Sequence, residues 1–126
     1  MTAGPGFKYA WQDNNKYKKP TMLPAQEYIQ NVILWVEGQI SDESVFPSDP
    51  SVSFPKEFKS IVAKIFQRLF RIYAHIYYHH RDDMKKIGAE AHLNTSFRHF
   101  ALFSKEFELI PEDQLAPLKD ILSQIL

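Results

Sequence analysis

A chain of 126 residues with zero formal net charge, no cysteine and 44% hydrophobic residues has the make-up of one globular domain with a small core. The neutral balance excludes a bulk field that would draw nucleic acid or anionic membrane, and the missing cysteines exclude disulfides and thiolate metal sites within these residues. No apolar run approaches the roughly 20 residues of a membrane span, and no signal-peptide pattern opens the sequence. Residues 1–20 hold Gly4, Pro5, Gly6, Asp13, Asn14 and Asn15, which break any regular period and predict irregular structure. Within them Phe7, Tyr9 and Trp11 alternate over a short extended piece suited to lying against a helix. Lys16, Lys18 and Lys19 form a small basic cluster, read as a solvated loop.

Pro24 marks a helix start, and Tyr28, Val32, Trp35 and Val36 follow at helical spacing until Gly38 and Ser41. Residues 41–55, with three prolines and five serines, read as a loop of about fifteen residues, anchored by Phe46 and Phe54. From Pro55 to His80 the apolar residues Phe58, Ile61, Val62, Ile65, Leu69, Ile72, Tyr73 and Ile76 repeat as i, i+3, i+4, i+7. That rhythm predicts a central amphipathic helix of roughly six turns. A further helix is expected over 90–108, burying Leu93, Phe97, Phe100, Ala101, Ser104 and Phe107. Pro111-Glu112-Asp113 opens a last helix that turns Leu115, Leu118, Leu122, Ile125 and Leu126 inward. Four main helices make an all-α, bundle-like single domain, and ten phenylalanines supply a bulky core.

Two constellations carry chemistry. Lys64, Arg68, Arg71 and His75 fall within a roughly 60° arc of the central helix, a cationic row beside the apolar face. Two arginines one turn apart present planar forks of donors that match a phosphate, so this row is either a dianion grip or a solvated face. His75 and His79 stand at i, i+4, the spacing of paired metal ligands, while His80 aims back toward the apolar arc and needs a polar partner there. Structural histidines and metal ligands both fit this pattern. Phosphate loops, nucleophile elbows and zinc-protease motifs are all missing, so the residues read as a binding module and not an enzyme.

The stretches AGPGFKYAW (3–11), LPAQEYI (23–29), VFPSDPSVSFPKEF (45–58), RLFRIYAHIYYHH (68–80), EAHLNTSFRHF (90–100) and KEFELI (105–110) together resemble the Mob (Mob/phocein) family of kinase co-activators. The likeness runs over essentially the whole chain. It implies a mostly helical, non-catalytic domain that binds the N-terminal regulatory segment of NDR/LATS-type kinases and phosphothreonine motifs of upstream Ste20-like kinases, in cytoplasm and nucleus. The family's Lys-Arg-x-x-Arg phosphate pocket falls on Gln67, Arg68 and Arg71, so a glutamine stands where the pattern has lysine, with Lys64 placed to compensate. The family's zinc, held by two cysteines and two histidines, implies His75 and His80 as ligands, with the cysteines upstream of Met1. On this resemblance the chain is a Mob domain lacking the upstream family segment, with an uncovered apolar face and a tendency to low stability or self-association. The competing reading is a structural adaptor whose phosphate pocket is vestigial and whose aromatic-rich surface does the binding.

Overall fold

In the computed structural model, which describes residues 1–126, everything packs around one long helix. The order is α1 (Ala25–Ser41), α2 (Phe58–His79), α3 (Arg81–Lys86), α4 (Glu90–Glu106), α5 (Glu112–Leu115), a 3-10 turn (Ala116–Leu118) and α6 (Lys119–Ile125). No strand forms; only two isolated antiparallel bridges, Thr2 with Lys8 and Trp11 with Thr21, tie the N-terminal segment together. The all-α expectation therefore holds.

Helix α2 is covered on two sides. On one, Phe70, Ala74 and Tyr77 join Leu93 and Phe97 of α4 and Leu118 in the larger core cluster. On the other, Leu69 and Ile72 pack against a smaller cluster of Met1, Trp11, Tyr28 and Val32. The expected arc contained Leu69, Ile72, Tyr73 and Ile76 but left out Phe66, Phe70, Ala74 and Tyr77. Several of these lie one position on from the expected arc, which widens the buried surface by about 100°. A helix so wrapped is a rigid mount for whatever its remaining face carries.

Several local expectations need correction. His80 does not turn inward: its side chain is half exposed and pairs with the Asp83 carboxylate at 3.1 Å, because α2 ends there and α3 begins in a new direction. The polar stretch from Arg81 is helical, closed by Gly88 at φ 73°. The last helix is broken in two by a 3-10 turn that holds Pro117. Phe107, just past the end of α4 at Glu106, and Leu126 stay about half exposed. In the 42–57 loop both Phe46 and Phe54 contact Phe58, at 5.3 and 4.3 Å between ring centroids, yet Val45 is the buried anchor and Phe54 remains 61% exposed. In the N-terminal segment Met1, Ala3 and Trp11 are buried, with Trp11 against helices as its alternation suggested, and Lys16, Lys18 and Lys19 face solvent as expected.

Candidate anion-binding site

Asp13 sets the position of the N-terminal loop. Its carboxylate accepts from the backbone N–H groups of Asn15 and Tyr17, both at 2.9 Å, and from Trp11 Nε1 at 2.8 Å. These donors, Tyr17 first, hold its pKa below the usual value. So fixed, Trp11 lies over α2 against Tyr28, edge to face at 5.6 Å.

That placement changes the character of the cationic row. Arg68 is not on a solvated face; it is only 8% exposed. Its guanidinium lies 4.4 Å from the Trp11 ring and 4.3 Å from the Trp35 ring, held between two indoles. Cation–π attraction is worth roughly 0.5–2 kcal/mol, more where the pair is desolvated, and here two rings supply it. Nη2 donates to the Gln12 carbonyl at 2.9 Å, while Nη1 is buried and has no partner. Burial works against the charge, but a guanidinium stays protonated in proteins. A cation fixed at the wall of a cavity is what an anion site requires.

Arg71, half-buried, donates to the Tyr28 hydroxyl at 2.8 Å and lies over Tyr9 at 5.3 Å. Lys64 is exposed one turn before Arg68; burial first, then the charges of Arg68 and Arg71, lower its pKa. Gln67 spends its amide on the Leu109 carbonyl at 3.2 Å. All four line a cavity of about 500 Å³, completed by small or polar residues such as Ala10, Gln12, Pro20 and Ser60. That volume lies in the range of small-ligand sites. The structure thus brings Lys64, Gln67, Arg68 and Arg71 together, and separates His75, the fourth member of the row, from them. Sequence reading missed Trp11, Trp35, Gln12 and Tyr28, which hold the arginines. Only the two tryptophans carried a signal, since an exposed cationic row does not require indoles nearby.

The histidines form a separate cluster at the end of α2. His75 is buried with Nδ1 2.8 Å from the Thr2 carbonyl, and burial lowers its pKa. His79 Nε2 meets the Thr2 hydroxyl at 2.8 Å. Ring centroids of His75 and His80 stand 5.1 Å apart. No three His, Asp or Glu side chains converge to hold a metal ion. A closed zinc centre takes four ligands, so the two imidazoles of His75 and His80 do not fit one by themselves.

A model of the Mob1/phocein family matches residues 1–118. The chain belongs to the Mob1/phocein family. It is 47% identical over 125 residues to MOB kinase activator 3B of Homo sapiens and 46% identical over 125 residues to MOB kinase activator-like 1 homolog B of Dictyostelium discoideum. Each match covers 99% of this chain and 58% of the relative. Over 126 residues it is 45% identical to MOB kinase activator-like 1B of Arabidopsis thaliana, covering 59% of that protein. This Mob1/phocein chain thus spans somewhat more than half the length of these relatives. No helix in it is long and apolar enough to cross a membrane.

Proposed function

We propose that this Mob1/phocein chain is a phosphothreonine-reading, non-catalytic part of a kinase co-activator. Its relatives carry the name of kinase activators. The observation that carries the reading is the Arg68 guanidinium, fixed between Trp11 and Trp35 with Nη1 unpartnered, beside Arg71 and Lys64 in one cavity. A dianionic phosphate accepts from both arginines, and Lys64 adds charge at the mouth. The partners in this reading are an NDR/LATS-type kinase, bound through its regulatory segment, and the phosphothreonine motif of an upstream Ste20-like kinase. The setting is cytoplasmic and nuclear, and bias of a partner kinase's conformation replaces chemistry. Zinc enters only with two donors from outside these residues, beside His75 and His80.

One observation favours a second reading. Gln67 gives its donor to Leu109 and not to the cavity, which leaves the adaptor with a weak pocket as the alternative. Fluorescence-polarisation titration of a phosphothreonine peptide and its unphosphorylated twin separates the two. The expected result is a clear preference for the phosphopeptide, reduced tenfold or more by Arg71→Ala, the scale of one charge-assisted hydrogen bond. Equal binding of both peptides by folded protein overturns the phosphothreonine reading in favour of the adaptor.

A further inference from the structure

Ala63 and Gln67, which line the cationic cavity, also line a second depression on the neighbouring face of α2. This groove is larger, about 1020 Å³, and of opposite character. Half-buried Phe100, Leu115 and Leu122 and exposed Leu126 line it above the buried rings of Phe70 and Phe97. Lys105, Lys119, Glu108 and Glu112 ring it with both signs of charge. The Gln67 amide, bonded to the Leu109 carbonyl, is the saddle between cavity and groove.

We propose that the groove takes apolar residues of the same peptide whose phosphothreonine enters the cavity. The inference rests on the cavity being a phosphothreonine site. The two depressions share Ala63 and Gln67, which stand one turn apart on α2. A helix with its side chains is about 10 Å across, and an extended chain advances about 3.3 Å per residue. Crossing the saddle therefore takes about three residues, which sets the spacing between the phosphothreonine and the first apolar anchor. The phosphate supplies the charge-dependent contact and the anchor supplies sequence selection. Of the saddle residues, Ala63 lets an extended backbone approach α2 closely, and Gln67 offers its side-chain carbonyl to a passing N–H.

Calorimetric titration of the 126-residue chain with four synthetic peptides tests this. One has phosphothreonine among glycines and serines; two add a pair of leucines three and four residues after or before it; the fourth is an unphosphorylated leucine peptide. The expected result is that one leucine phosphopeptide binds at least about tenfold tighter than the polar one, the yield of burying part of a leucine side chain. Ala116→Glu and Leu126→Asp, both at exposed groove positions, remove that gain, whereas Arg71→Ala weakens every phosphopeptide. If leucines add nothing in either direction, or the gain survives both groove variants, the groove assignment fails while the phosphothreonine site stands. If phosphate makes no difference in any peptide, the site reading itself fails and takes the groove assignment with it. Dimerisation in sedimentation runs that Leu126→Asp abolishes, with no leucine gain, gives the groove to a second copy and overturns the proposal.

Discussion

Gln67 occupies the position that decides how much charge the cavity holds. Its amide now ties α2 to Leu109, so Gln67→Lys exchanges a neutral strut for a fourth cation beside Lys64, Arg68 and Arg71. The expected outcome is tighter phosphopeptide binding, with a stability loss of about 1 kcal/mol for the lost hydrogen bond, measured by titration and chemical denaturation. Unchanged affinity would mark the pocket as vestigial. Asp13 controls the same site through Trp11. Because three donors favour its carboxylate, its folded pKa lies below the ordinary 3.8. The unfolded chain therefore takes up the proton first as pH falls. Stability from this group is present above about pH 3.8 and is lost as pH drops through the folded value. Near-UV circular dichroism of the indoles should weaken over that interval, and Asp13→Ala should give the weakened signal already at neutral pH. That Arg68 and Arg71 share one face of α2 was legible from their spacing, and they do line one cavity. The burial of Arg68 was not legible, because it depends on Gln12 and Trp11, more than fifty positions away along the chain.

Helices α3 and α4 end in the same way with different residues. In each, the residue after the C-cap is left-handed: Gly88 at φ 73° and Glu108 at φ 51°. Behind Gly88, the Ala89 N–H reaches the Met84 carbonyl and the Gly88 N–H reaches Lys85. Behind Glu108, the Leu109 N–H reaches the Ser104 carbonyl and the Glu108 N–H reaches Lys105. This is the six-to-one, five-to-two pattern of a glycine-type helix stop. A side chain in the left-handed region costs roughly 1–2 kcal/mol. Gly88→Ala should therefore lower stability by about 1 kcal/mol and Glu108→Gly should raise it by somewhat less, since glycine adds unfolded-state entropy. Paired thermal melts of the two variants check both signs. The stop at Gly88 was visible in the sequence, but α3 before it was not, as a single apolar residue, Met84, among five polar ones shows no apolar period. The three long helices were legible because their apolar periods run for four turns or more. The second buried side of α2 was not, since a single-arc reading has no place for a helix packed from both directions.

Across the whole molecule the two clusters on either side of α2 differ in what they support. The larger one surrounds Phe97, fully buried and in ring contact with Phe70, Tyr73, Tyr77 and Phe100. Phe97→Ala should cost about 3–5 kcal/mol, read as a lower denaturant midpoint, a large share of the stability of a domain this size. The smaller cluster contains Trp11, Tyr28 and Val32 and carries the arginine cradle. Elsewhere Ile33, Leu34 and Ile40 leave an apolar stripe of α1 open to solvent. The cradle has an optical consequence. The chain has only two tryptophans, and both lie against Arg68. Their emission therefore reports the surroundings of a single guanidinium and is nearly blind to the phenylalanine-rich side of the molecule. A heating curve followed by emission dates the loosening of the cradle, while far-ultraviolet ellipticity dates the loss of the helices. The interval between the two midpoints is a direct reading of whether the site lets go before the fold does.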